Sequence, residues 1–306
     1  MNSLQNKIDF VALISVSMAN PNGDPLGGNR PRTDYDGYGE MSAECIKRKI
    51  RNRMQDLSHD VNRKQDMPYD VFVQADDHFF GHDEYKSLSA RADARIGKVT
   101  KGKKGSGMSK EEFAEKACRT FLDVRSFGQV FAFGKTDDSD GTSVGIRGPV
   151  SIHQAVSVSP VTVESMQITK STNADEKDSE QGKKGADTMG SRHFVRFGLY
   201  KLKGSINVQL AEKTGFSEED ADIVKECLRT LFVNDASSAR PDGSMEVVKL
   251  YWWKHNCRDG QYSSAKVHRS VEVVQRDPEA MPSSVEDYEI HVQPLDGLVP
   301  EVIDGL

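Results

Sequence analysis

The chain predicts an α+β fold, because its large segments follow one another as strand, helix, strand, strand, helix, strand, with polar insertions between them. Three observations carry this reading. Apolar residues fill both parities of residues 7–18, those after Ser42 recur at helical spacing, and Ser217-Glu-Glu-Asp220 is a capping box ahead of a second apolar stripe. With 306 residues the chain can bury a core without disulfides or a structural metal.

Taken in order, residues 7–18 place Ile8, Phe10, Ala12, Ile14 and Val16 on one parity and Val11 and Leu13 on the other, the pattern of a strand buried on both faces. Residues 20–32 are rich in Asn, Gly and Pro and predict a long loop with free backbone amides. Ser42 opens a helix whose Ile46, Ile50, Met54 and Leu57 share one face, with Lys47, Arg48 and Arg51 on the adjoining flank. Residues 66–120 lose periodicity and read as an insertion with a polar helix from Glu84 to Arg95. Strand signals return over Val124–Phe133 and Pro149–Val158, which are expected to pair across the acidic turn at residues 137–141.

From Thr169 to Ser191 only Ala174, Ala186 and Met189 are apolar, so this stretch cannot bury itself. It lies between two alternating arms and predicts a projecting hairpin. The helix after Ser217 buries Ala221, Val224, Leu228, Leu231 and Phe232, and residues 245–253 form a last core strand. The resulting order is the ferredoxin-like βαββαβ pattern, which RNA-recognition modules also use.

Charge is unevenly spread. The net charge is −6, yet residues 271–306 contribute −8, leaving +2 on the first 270. Residues 42–64 carry seven bases against three acids, and residues 97–110 carry five lysines and no acid. A basic working surface with an acidic C-terminal segment points to a polyanionic partner. No run approaches the ~20 apolar residues of a membrane span. The start of the chain lacks the apolar core of an export signal, and Cys45, Cys118, Cys227 and Cys257 are too widely spaced for a zinc knuckle, so reduced thiols in the cytoplasm are expected.

Several motifs invite chemistry and fall short of it. Gly97 to Lys103 has the glycine and lysine spacing of a phosphate loop, but Lys104 replaces the magnesium-binding hydroxyl. His78 and His82 stand among acids, but Gly81 and two phenylalanines disfavour a rigid helix presenting both rings. Asn20, Asn22 and Asp24 suggest a calcium loop, yet Pro25 occupies the glycine position. No Gly-x-Ser-x-Gly elbow occurs. The run Arg125 to Phe133 matches an RNA-recognition strand at its basic, first aromatic, glycine and valine positions only; a core strand with a glycine kink is the simpler reading. No cofactor is expected.

The combination Asn22-Gly-Asp-Pro-Leu-Gly-Gly-Asn-Arg-Pro-Arg32, the helix from Ser42, Asp123-Val-Arg-Ser-Phe-Gly128, Gly148-Pro-Val150 and Met189-Gly-Ser-Arg-His-Phe194 resembles the repeated backbone subunit of the CRISPR Cascade surveillance complex, most closely its type I-C form. The resemblance implies an RRM-like palm (residues 1–65, 121–159 and 193–270), a helical finger insertion at 66–120, a β-hairpin thumb at 160–192 and the acidic segment 271–306. It implies copies polymerised head to tail along a guide RNA, kinking it at intervals and presenting it to target DNA beside other Cascade subunits, with no enzymatic activity.

The same resemblance implies RNA contacts at Arg30, Arg32, Ser42, Lys47, Arg48 and Arg51, with Phe127 and Gly128 beneath the RNA. On the thumb, Lys170 and Arg192 join as cations and Met166 and Met189 as wedges between bases. Lys98, Lys101, Lys103 and Lys104 are candidate DNA contacts. The competing reading is a metal-dependent ribonuclease using the loop carboxylates Asp24, Asp34 and Asp36, as in related type III complexes. A plain RNA chaperone of one or two subunits is a third.

Overall fold

The computed structural model describes residues 3–60, 69–75, 78, 87–99, 108–132, 143–169 and 189–306. Its centre is an antiparallel sheet built around β1 (Ile8–Ala19). On one side β1 pairs with β11 (Met245–Lys254), which pairs with β14 (Glu301–Asp304). On the other it pairs with the long β10 (Met189–Ile206), and beyond β10 lie β7 (Val150–Ile152), β8 (Ala155–Pro160) and β4 (Tyr38–Met41). The four main strands thus stand in the spatial order last, first, third, second. Each neighbouring pair is antiparallel, because a helical connection carries the chain past one position before it returns.

The two parities of β1 explain why the sheet has cover on both faces. Phe10, Ala12, Ile14 and Val16 enter one core under α1 (Ala43–His59), α5 (Val208–Thr214) and α6 (Glu218–Arg229). Val11 and Leu13 enter a second core with Phe197, Leu199, Tyr251 and Trp253, roofed by α7 (Ser264–Ser270) and the pair β12 (Val271–Gln275) and β13 (Tyr288–Val292). The acidic C-terminal segment is therefore part of the fold, with Glu301 and Asp304 of β14 paired to Lys225 and Lys249. Asp9 is the buried charged residue on β1. Its Oδ2 takes a hydrogen bond from His255 Nε2 at 2.8 Å and faces Lys7 Nζ at 3.2 Å, while the buried Oδ1 has no hydrogen-bond partner among the described residues and lies 3.8 Å from His268 Nε2.

The two helices with predicted caps form as those caps require, and the polar helix expected from Glu84 to Arg95 begins at Leu88, after its cap Ser87. Ser42 Oγ accepts from Cys45 N at 3.2 Å, and Ser217 and Asp220 bond reciprocally at the start of α6. Ile46, Ile50, Met54 and Leu57 are buried, as are Ala221, Val224 and Leu228. The hairpin arms are β9 (Val163–Thr169) and the start of β10, in register from Met189 opposite Thr169 to Val195 opposite Val163.

A third core lies between α2 (Leu88–Arg95), α3 (Lys110–Thr120), α4 (Leu122–Phe127), β5 (Gly128–Ala132) and β6 (Ser143–Arg147). Phe72, Phe113, Phe121 and Phe131 meet there with ring centres 5.0–5.1 Å apart. This corrects the expected strand over Val124–Phe133. Val124 to Phe127 are helical, and the chain turns into a strand only at Gly128, whose φ of 79° ends the helix. The expected pairing with Pro149–Val158 is corrected too. β5 pairs with β6, while β7 and β8, split at residues 153–154, pair with β10. The reason is packing: Val124 and Phe131 bury themselves in the aromatic cluster and draw this segment off the central sheet.

Candidate nucleic-acid interface

The basic flank of α1 divides into cations that hold the fold together and one that does not. Lys49 is buried and ion-paired with Asp235, which also binds Arg240 Nε at 3.0 Å; burial lowers the Lys49 pKa, opposed by Asp235. Arg53 donates to Thr230 Oγ1 at 2.7 Å and to Asp56 at 3.2 Å. Arg48 donates to the Val73 carbonyl at 2.8 Å. Arg51 Nε donates at 2.9 Å to Asp123, a buried carboxylate that also accepts from Phe72 N and Val73 N. Arg48 and Arg51, expected as RNA contacts, both also fasten α1 to the segment after Tyr69.

Lys47 differs. Among the described residues no carboxylate pairs with it, and its ammonium lies 5.9 Å from the centre of the Phe127 ring, where the Arg51 guanidinium also packs at 5.1 Å. Phe127 is half-buried against the central core. One aromatic ring thus meets two cations one helical turn apart, a compact positive surface.

Gly128, expected beneath RNA, has a different demand placed on it. A Cβ there would stand 2.3 Å from the Ile146 carbonyl, and one on Gly148 would stand 2.2 Å from that of Ser126. The two glycines allow α4 and β6 to touch backbone to backbone. Arg125, in the run that suggested a base-stacking strand, is buried and bound to Asp220 through two hydrogen bonds of 2.9 and 2.7 Å.

The loop at 20–32 forms a small hairpin, β2 (Gly23–Asp24) with β3 (Arg30–Pro31), whose tip leaves Leu26 fully exposed. It links the start of α1 to the base of the projecting hairpin. Asn22 Oδ1 accepts from Ser42 N at 2.9 Å, and Arg30 donates to Ser165 Oγ at 2.9 Å. Ser42 is occupied as the cap of α1, and Arg32 pairs with Asp24 at 3.3 Å. Asp34 accepts from Asp36 N and Tyr38 N, closing a turn in which Asp36 is exposed. Among the described residues no three His, Cys, Asp or Glu side chains gather as metal ligands. His78 binds Asp56 at 2.8 Å.

On the projecting hairpin Met166 faces Arg192 across the strands and Met189 faces Thr169, one position out of phase. The two methionines are 52 % and 62 % exposed and lie on opposite faces, so they do not form one wedge. Met166 shares its face with exposed Ile168, and the half-buried Arg192 carries an Nε without a hydrogen-bond partner. Lys98 is exposed. Lys101, Lys103, Lys104 and Lys170 lie outside the described residues, as do the acidic turn at 137–141 and His82.

Asp123 and Asp220 sit in the sequence as part of a family motif and a capping box, but nothing local shows that they also anchor distant arginines. Their partners Arg51 and Arg125 stand 72 and 95 positions away.

Fold and surface define an α+β protein whose covered antiparallel sheet carries a cationic helix flank and extends two strands into an exposed hairpin. The family described as CRISPR-associated protein Cas7 matches residues 6–293, and the chain belongs to it. A curated CRISPR-associated protein Cas7 of Haloferax volcanii is 23 % identical over 237 residues, 71 % of this chain; the match spans 61 % of that relative's length. Among solved structures, a chain of a CRISPR RNA-guided surveillance complex in a pre-nicking state aligns over 84 % of this chain and 81 % of its own, with 17 % identity and a TM-score of 0.46. A chain of a second CRISPR RNA-guided surveillance complex aligns over 86 % and 74 %, with 18 % identity and a TM-score of 0.43.

Proposed function

We propose that this protein is the repeated guide-RNA-binding backbone subunit of a type I-C Cascade complex, acting without catalysis inside the cytoplasm. Its central sheet serves as an RRM-like palm, the third core as the finger, and the β9–β10 hairpin as the thumb. Copies join head to tail along the RNA, kink it at regular intervals and leave the intervening bases free for target DNA, alongside other Cascade subunits.

The observation that carries this reading is membership of the Cas7 family together with Lys47, a cation without a carboxylate partner among the described residues that lies beside Arg51 on the Phe127 ring. Contacts of this kind follow phosphates and are indifferent to base identity. The order of the four main strands supports the palm, and the exposed apolar side chains of the hairpin support a thumb that orders on a neighbour. An open, heterologous contact between copies generates a filament, as a coat on a long polyanion requires.

The test is electron microscopy of the protein copurified with its cellular nucleic acid. Regular helical assemblies that protect RNA in constant increments are expected. Protein that stays single and ignores RNA at low ionic strength, with the companion subunits supplied, would overturn the proposal.

A further inference from the structure

The face of the sheet turned away from α1 carries a second concentration of positive charge. A groove of about 620 Å³ lies between β8, β10 and β12, lined by Val156, Val158, Lys201, Lys203, Arg269 and Val273. Glu272 is the acid of its lining, so three cations face one carboxylate. Lys201 is fixed at the groove by hydrogen bonds from its ammonium to the carbonyls of His268 (2.9 Å) and Val271, which leave one of its three N–H groups unassigned. Lys203 and Arg269 have no carboxylate partner among the described residues, and Arg269 is exposed. The Lys201 pKa is pushed down to about 8 by burial first and by Lys203 second, with Glu272 opposing them. Lys203 also bears on His268, whose ring bonds the Gly204 carbonyl and packs edge-on against His153.

Uncompensated cations held on a rigid strand are costly unless an anion completes them. Lys201 and Lys203 sit two residues apart on one strand face, a separation of about 6.6 Å, close to the spacing of consecutive phosphates in an extended single strand. The walls are valines and hold no aromatic ring, so bases find nothing to stack on or be read by. The floor is the face of β8 and β10, whose backbone groups are engaged in the sheet, so it offers no free ladder of the kind that seats an extended peptide.

We infer that this groove binds the sugar–phosphate backbone of a nucleic acid single strand, independently of sequence and separately from the α1 flank. The site goes beyond the guide-RNA reading. It places a second strand on the opposite face of the same subunit.

The experiment uses the full-length protein with the RNA it retains on purification. Fluorescence anisotropy follows binding of labelled oligo(dT) and oligo(rU), with an acidic peptide as a third probe. Lys201 is left intact. In the variant Lys203→Glu with Arg269→Glu, affinity for the oligonucleotide falls at least tenfold, the salt slope drops by about 1.4 for two lost phosphate contacts, and retained RNA is unchanged. Lys203→Arg with Arg269→Lys keeps both affinity and slope, which separates lost charge from lost folding. The relative response of oligo(dT) and oligo(rU) tells which strand the groove prefers, and binding of either supports the inference. An unchanged affinity in the charge-reversed variant overturns it. So does parallel loss of the retained RNA, which would merge the groove with the α1 flank, or tighter binding of the peptide than of both oligonucleotides.

Discussion

Arg51 donates from Nε to Asp123 at 2.9 Å, and that contact joins the basic flank of α1 to α4 in the third core. Asp123 is 1 % exposed and is completed by the amides of Phe72 and Val73, so its charge is paired and solvated by protein alone. A residue expected to grip phosphate is therefore also a structural strut.

Removing the carboxylate leaves a half-buried guanidinium and two amides without a partner. Asp123→Ala should lower the unfolding free energy by about 3 kcal/mol, read from urea denaturation. A loss below about 1 kcal/mol would show that water replaces the carboxylate without penalty.

Lys47 and Arg51 should separate experimentally. Lys47→Ala is expected to leave the melting temperature within error while the salt slope of RNA binding drops by about 0.7 for one phosphate. Arg51→Ala should lower both affinity and melting temperature, since it also breaks the pair with Asp123. Equal thermal effects of the two substitutions would contradict this division.

Gly128→Ala and Gly148→Ala each push a methyl group to within 2.3 Å of backbone, and the first also meets a φ of 79°. Each should cost about 2 to 4 kcal/mol. Gly145, in the same strand as the approach of β6 to β5, has open space at its Cβ. Gly145→Ala should change stability by less than about 0.5 kcal/mol and serves as the control in thermal melts.

Lys201 predicts a pH dependence. Its folded-state pKa of about 8 lies below the ordinary lysine value of 10.5, so the unfolded chain binds that proton more tightly. The cost of the buried ammonium is fully present below pH 8 and is relieved as pH climbs toward 10.5, so this group makes stability rise across that window. Lys201→Met should remove that contribution, changing the wild-type minus variant difference by about 1 to 3 kcal/mol between the two ends. A difference that stays constant with pH would refute the burial of a charged amine.

The opposed faces of the hairpin make a further prediction about its methionines. Met166→Glu and Met189→Glu should have unequal effects on RNA retention, because a strand of RNA lying against one face meets only one of them. Equal losses, measured as the absorbance ratio of purified protein, would require contact with both faces.

Much of the fold was legible because the signals are strong where neighbours decide. Strand β1 announced burial on both faces, and two cores meet it. Ser42 and Ser217 marked helix starts, and both are caps. The run Val124–Phe133 was misread because its alternation of Val, Phe and polar residues satisfies a strand, while Val124 and Phe131 are claimed by an aromatic cluster assembled from distant segments. The candidate site was legible in part: the cationic flank of α1 and the exposed hairpin methionines are where the sequence placed them, but most of the flank is committed to carboxylates.

Periodicity, capping residues and turn chemistry settled which segments became strands, helices and hairpin arms, since those depend on interactions within a few residues. Only the folded chain decided which cations meet Asp123, Asp235 or Asp220 and which meet solvent, and which hairpin face each methionine occupies. Such pairings join residues as much as 186 positions apart. Their strength comes from exclusion of water, a property of the assembled core that no local stretch of sequence possesses.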